Sequence, residues 1–419
     1  MSVGIPAQVS PNVSSGFVSL PVSGGTSTAP ANYRRGYIES WNLFVQQDLG
    51  SNFVMNIGYV GTHAVRQLFG YTLNAAPLPS GGSICMPNGQ YNPSTGLSGT
   101  CNFAANEGIN ISAGCNANST SVVNGATVKT GFLCYNTGGI TWNVPSQSAM
   151  YNGLQAQLTR NAGRRTQFGL VYTWSHAIDF EDNGAGSGSE GVKFSLPQYF
   201  RLNRANAGYD RTQNLQAWWI YHLPFGQGQK WANHGVAGAV FGGFQINGQV
   251  SHVSGAPFSV SPSSNTINDP GNTEYADLVA PYRQLGGHNR TPGNSAVSGG
   301  VAWFDPASFA NPVEPQYTQP TAPGYVNCSQ PACMVSPHFG NTHRNQFRGP
   351  GVTNMNASVF RGFHIYRESE FQVRVEAFNV LNHPQLTSNP NTTVGSGTFG
   401  YITGFGATRT LQFSGRFNF

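Results

Sequence analysis

The chain has 419 residues, of which 9% are charged and 12% aromatic, with 53 Gly, 26 Pro and a formal net charge of +5. Charge this sparse falls far below the ~25% of an ordinary soluble domain and does not furnish a soluble surface, while the aromatic content argues against disorder. No run approaches the roughly 18–20 apolar residues of a spanning helix, and the scattered Lys and Arg leave no nucleic-acid footprint.

In chain order, residues 1–33 are rich in Ser, Gly, Pro and Val and read as loop, or as the remnant of an upstream barrel. The opening Met1-Ser-Val-Gly-Ile-Pro6 lacks the basic and apolar regions of a signal peptide. From 34 to 419 the chain reads as strands joined by turns and long loops. Tyr37 to Leu49 sets Trp41, Leu43 and Val45 against Asn42 and Gln46. After the turn Asp48–Asn52, the residues Phe53, Met55, Ile57 and Tyr59 continue the two-residue period, so the pair reads as a hairpin. A long polar loop covers about 67–147.

The third strand, about Met150 to Arg160, opposes Leu154, Ala156 and Leu158 to Gln155, Gln157 and Thr159. The fourth carries Phe168, Leu170, Tyr172 and Trp174, and a loop follows at about 179–210. Leu215, Ala217, Trp219, Tyr221 and Leu223 mark the fifth strand. Phe244, Ile246, Gly248 and Val250 mark the sixth, before the loop at about 261–350. Met355, Ala357 and Val359 mark the seventh, and Phe371, Val373, Val375 and Ala377 the eighth. A loop at about 382–406 leads to the last strand. There Leu411, Phe413, Gly415, Phe417 and Phe419 alternate with Gln412, Ser414, Arg416 and Asn418.

Connections alternate between short and long. Short ones follow Leu49, Arg160, Leu223 and Phe363, and long ones follow the even strands. A β-sandwich explains any one of these strands but not this asymmetry, which is the rule for outer-membrane barrels with short periplasmic turns and long extracellular loops. The expected fold is therefore all-β: an antiparallel transmembrane β-barrel, partial, of about nine to ten strands of a larger barrel. The aromatics Tyr172, Trp174, Trp218, Trp219, Tyr221, Phe417 and Phe419 fit interfacial girdles. Leu411, Phe413, Phe417 and Phe419 read as a terminal assembly signal for the barrel-assembly machinery. Gln372, Arg374, Glu376, Gln412 and Arg416 are expected to face the lumen, because a mid-bilayer charge on the lipid face costs about 2–4 kcal/mol. Arg374, Glu376 and Arg416 either line a solute path or pair structurally, and structural pairing is the expected role.

Cys85, Cys101, Cys115, Cys134, Cys328 and Cys333 all fall in loops, as disulfides of an oxidising compartment would. Cys328–Cys333 is the expected pair, and no CxxC or paired His supports zinc. Asp179, Glu181 and Asp182 form an acidic group whose expected state is a solvated loop rather than a cation site. Gly184-Ala-Gly-Ser-Gly188 lacks the strand–turn–helix setting of a phosphate loop. No catalytic, metal or cofactor constellation is legible, so no cofactor is expected, and an outer-membrane protease or phospholipase lacks its Ser/His/Asp arrangement.

Several phrases resemble a known family. They include Trp41-Asn-Leu-Phe-Val-Gln-Gln-Asp-Leu49, Gly58-Tyr-Val-Gly-Thr-His63, Tyr151-Asn-Gly-Leu-Gln-Ala-Gln-Leu-Thr-Arg160, and Tyr172-Thr-Trp-Ser-His-Ala-Ile-Asp179. Others are Leu223-Pro-Phe-Gly-Gln-Gly228, Gly242-Gly-Phe-Gln-Ile246, Ser254-Gly-Ala-Pro-Phe258, and Trp303-Phe-Asp-Pro-Ala-Ser-Phe309. The set ends with Arg344-Asn-Gln-Phe-Arg-Gly-Pro-Gly351 and Glu376-Ala-Phe-Asn-Val-Leu-Asn-His-Pro384. In this order they resemble the carboxy-terminal barrel of Oar-like TonB-dependent transporters of acidobacterial type.

The resemblance implies a larger barrel with an internal plug and a TonB box, which this sequence does not show; the chain then reads as a fragment of such a receptor. It implies residence in the outer membrane of a Gram-negative bacterium, contact with its lipid, and a link to the TonB system only through an upstream plug. The implied task is solute uptake of oligosaccharides, peptides or chelates, with an extracellular ligand the sequence does not name. A surface adhesin barrel without transport is the alternative.

Overall fold

The computed structural model describes residues 26–73, 75, 90–92, 97–99, 120–123, 126–129, 140–162, 166–182, 190–226, 229–263, 272–286, 300–312, 338–366, 369–383, 385–406 and 408–419. All six cysteines lie outside these residues, as does Gly184–Gly188.

Nine long strands pair in sequence order as one antiparallel meander. They are β1 (Tyr37–Gly50), β2 (Phe53–Thr72), β3 (Ile140–Ala162), β4 (Thr166–Asp179), β5 (Gln213–His222), β6 (Phe244–Val253), β7 (Val352–Tyr366), β8 (Ser369–Phe378) and β9 (Thr410–Asn418). Each corresponds to one strand read from the alternation. Among the described residues β1 and β9 are the two edges, and the sheet does not close on itself. No described helix is long and apolar enough to cross a membrane.

The first hairpin shows how local chemistry sets register. Gly50, Ser51 and Asn52 all have positive φ, at 79°, 53° and 64°. Gly and Asn adopt that region most readily, and paired positive φ angles match the twist of a tight hairpin. The Asp48 carboxylate accepts from the Gly50 N–H at 2.8 Å and fixes the turn.

Register carries the alternation across the sheet. Leu158, Leu170, Ala217, Val250 and Met355 are successive neighbours on one face. So are Tyr221, Ile246, Val359, Val375 and Phe413. On the opposite face Gln46, Asn56, Gln157, Val171, Gln216, Ser251 and Asn354 form a row that is polar except at Val171. A one-residue slip in any strand would exchange the faces, so these rows are a stringent sign of a common register.

The strands exceed their expected lengths at the end where the long loops gather. β2 runs on to Thr72 and β3 begins at Ile140, so the loop expected over 67–147 is shortened from both sides. The extensions pair with each other, with register shifts between Ala64 and Leu68. Thr26–Thr28, expected as loop, pairs in parallel with Ile140–Trp142. At the opposite, turn end, the connection Leu223–Gly243 contains a helix, α1 (Gly235–Phe241), which the alternation did not predict.

Candidate functional site

The β6–β7 and β8–β9 connections share a core of Phe258, Val260, Ala276, Phe304, Phe347 and Ile402 with their neighbours, and Tyr282 packs against it. Aromatic rings meet edge to face, tilted or, for Phe258 and Phe304, stacked, with Phe304 5.2 Å from both Phe309 and Phe399, and Tyr282 4.6 Å from Phe347. Two-residue ladders such as Val301–Ala302 with Tyr401–Ile402 join the loops. The described part of the stretch with least periodicity is thus a packed body, because its aromatics meet partners distant in sequence.

Two arginines fasten that body to the β4–β5 connection. The side chain of Arg344 is fully buried, and its Nη1 donates to Asp182 Oδ2 at 3.0 Å. Its Nη2 donates to the Asp179 carboxylate and, at 3.0 Å, to the Asp179 carbonyl, while Nε donates to the Asn203 carbonyl at 3.1 Å. Four residues on, Arg348 donates to the buried Asp210 carboxylate. Asp210 also accepts from the Ala177 N–H at 2.7 Å and has His176 Nδ1 at 3.6 Å. Asn345, between the arginines, donates to the Asn206 carbonyl at 2.7 Å.

The expectation of a solvated acidic loop is therefore corrected. Asp179 and Asp182 are 1% and 3% exposed and bound to a guanidinium. Burial without such a partner is prohibitive for a carboxylate. Glu181 differs: burial pushes its carboxyl up from 4.5, opposed by a backbone hydrogen bond from Gly70 and by Arg344. Its Oε2 has no partner among the described residues. Burial likewise pushes the Tyr275 phenol well up, with Glu190 next in effect, and its hydroxyl donates to Glu190 at 3.2 Å.

The polar residues of β5–β9 share one face of the sheet. A hollow of about 300 Å3 lies against β5–β8, lined by Trp218, Asn247, Ser358 and Glu376 of the polar parity and by Trp219, Gly248 and Ala357 of the apolar one. Gln372, Arg374, Glu376, Gln412 and Arg416 share the polar face: Gln372 pairs with Arg416, Arg374 with Ser414, and Glu376 with Gln412. The Arg374 guanidinium lies 3.7 Å from Glu376 and 5.0 Å from the Phe360 ring centroid. Arg374 is thus paired with Glu376 and stacked on Phe360. On the same face the Oδ1 atoms of Asn56, Asn214 and Asn354 are buried without a donor among the described residues.

Aromatics expected as girdles divide between the faces. Tyr172, Trp174, Trp219 and Tyr221 share the apolar face, Trp174 towards the loop end and Tyr221 towards the turn end. Trp218 is a correction: by parity it sits on the polar face, where its indole lies over Gly169. A Cβ at Gly169 would come within 2.4 Å of the indole nitrogen, so the absent side chain lets the ring lie flat. Leu411, Phe413 and Phe417 are on the apolar parity of β9, and Phe419 follows it, its ring 6.2 Å from that of Phe417.

The sequence reading missed Arg344, Arg348 and Asp210. The signal available was two arginines four residues apart inside a long loop, in a chain where charge is scarce.

Among solved structures, the chain is similar to the outer membrane transporter YddB from Escherichia coli, with a TM-score of 0.39 and 8% identity, covering 94% of this chain and 34% of that one. It is also similar to FpvA of Pseudomonas aeruginosa, solved bound to heterologous pyoverdines, with a TM-score of 0.32 and 9% identity, covering 91% and 30%. The chain thus spans about a third of the length of these transporters. No curated protein matches it in sequence. The sequence model described as outer membrane beta barrel domain matches residues 1–412, and the chain belongs to that family, whose place is the outer membrane.

Proposed function

We propose that this chain forms part of the wall and outer mouth of an Oar-like, TonB-dependent receptor of acidobacterial type, which takes up oligosaccharides, peptides or chelates. The observation that carries the reading is the open meander of β1–β9, apolar outside and amide-rich inside, beneath a loop body locked by buried ion pairs. Open edges need further strands in a bilayer, where unpaired backbone groups find no water. The donorless Asn56, Asn214 and Asn354 oxygens suit a lumen occupied by a plug segment or by water. In this reading the wall guides and holds solute and has no catalytic role. TonB is reached through a plug, not through these strands.

The rigidity of the loop body also favours a second reading, a surface adhesin that displays a fixed face. One experiment separates them: uptake of a fluorescent oligosaccharide, a peptide and a ferric chelate by cells with and without the gene, before and after the proton-motive force is dissipated. Energy-dependent uptake that is lost with the gene supports the receptor. Surface attachment lost with the gene while uptake of all three is unchanged overturns it in favour of the adhesin.

A further inference from the structure

Helix α1 stands out at the turn end because it carries no charge. Its sequence is Gly235-Val-Ala-Gly-Ala-Val-Phe241. Val236, Val240 and Phe241 are 80%, 50% and 58% exposed. A short helix with such a surface, in a chain otherwise polar at its connections, needs a cover.

The tether of α1 shows which side of the wall it occupies. Arg361 of β7 donates to the Val240 carbonyl at 2.7 Å and to the Ala239 carbonyl, and so holds the carboxy-terminal end of α1. Arg361 pairs with Phe244 on β6 and Val373 on β8, and shares the parity of Met355, Ala357 and Val359. It is therefore on the apolar face. Its guanidinium lies 5.3 Å and 4.4 Å from the Phe244 and Phe363 ring centroids, which cover the cation as the Phe53 ring covers Arg160 on the same face. The helix thus joins the lower margin of the lipid-facing band and continues its apolar surface.

The approach to the helix has the chemistry of a membrane interface. Trp231 is 53% exposed, with the Lys230 ammonium 5.6 Å from its ring. Gln229, Asn233, His234 and Arg361 line a hollow of about 390 Å3 beside α1. Aromatic and cationic groups at headgroup level, next to an apolar helix surface, are the pattern of elements that lie in the plane of a membrane.

We infer that α1 is an interfacial anchor: it lies in the periplasmic leaflet of the outer membrane with Val236, Val240 and Phe241 in the acyl boundary, and fixes the height of the wall in the bilayer. The occupant is phospholipid, because the surface is continuous with the lipid-facing band. The inference rests on the outward assignment of that face and not on transport.

The test is photocrosslinking in the native outer membrane, with p-benzoylphenylalanine replacing Val236 or Val240 one at a time. Both side chains are at least half exposed, so the larger group fits without repacking. Val359 on the outer face and Ser358 on the inner face are the controls. Phospholipid-mass adducts at Val236 and Val240, as at Val359 and unlike Ser358, are expected. Adducts at Val359 with none at Val236 and Val240, or polypeptide adducts at those two, overturn the anchor alone. Lipid adducts at Ser358 in place of Val359 overturn the face assignment and the anchor with it.

Discussion

Arg344 sits where a single side chain holds two loops together. Removing one partner of a buried ion pair leaves the other charge uncompensated, which costs about 3–5 kcal/mol. Arg344→Met is therefore expected to loosen the loop body by roughly that amount, read as faster protease cleavage of the 179–210 segment while the wall stays folded. Because Asp179 and Asp182 carry the stranded charge, adding Asp179→Asn and Asp182→Asn should recover much of the resistance. A triple variant no better than the single one would show that the ion pairs are incidental.

Glu181 provides a pH test at the same place. Its carboxyl is raised in the folded state, mainly by burial, so the folded form binds the proton more tightly than the unfolded form does. Its contribution to stability is fully present below the ordinary value of 4.5 and is lost as pH rises through the raised folded value. Protease resistance of the loop body should therefore fall as pH climbs above that value, and Glu181→Gln should flatten this part of the profile. An unchanged slope in Glu181→Gln would assign the pH dependence to other groups.

At the scale of the element, a strand is specified by what its two faces meet. β9 has Leu411, Phe413 and Phe417 outward and 51–74% exposed. Its inner parity is Gln412, Ser414 and Arg416. Phe419 follows it, 99% exposed. In water such a strand is an aggregation hazard, whereas in a bilayer its outer side chains are in their preferred solvent and the terminal aromatic sits at the interface. Phe419→Ser is expected to lower outer-membrane levels several-fold, measured by fractionation and immunoblot, with little change in total synthesis. Normal levels would deny the terminal ring a part in assembly.

A closer contact operates within the elements too. Trp219 lies over Gly248 on the outer face as Trp218 lies over Gly169 on the inner. A Cβ at Gly248 would come within 2.0 Å of the Trp219 ring. These glycines are legible in the sequence only as weak points of a strand. They become meaningful once register places a tryptophan opposite them.

At the scale of the whole molecule, the meander has two unpaired edges among the described residues. A sheet in a bilayer must satisfy those edges with further strands or with another copy. Extracted from the membrane, the protein should show heat-modifiable gel mobility only if its edges are met. A shift for the isolated 419-residue chain would mean closure alone or by oligomerisation. Its absence would mean that further strands are required.

The sequence alone determined the strands, their order, the two faces and the outer-membrane setting, because a two-residue period and alternating loop lengths are local properties. Only the tertiary structure decided three other matters. The strands run beyond the expected span, because β2 and β3 continue to pair past it. The described parts of the β6–β7 and β8–β9 connections form a packed body, because Phe304, Phe347 and Phe399 find one another across long separations. Asp179 and Asp182 are buried, because Arg344 arrives from 165 and 162 residues away. Pairings at such distances leave no periodic trace, and they appear only when the chain has folded.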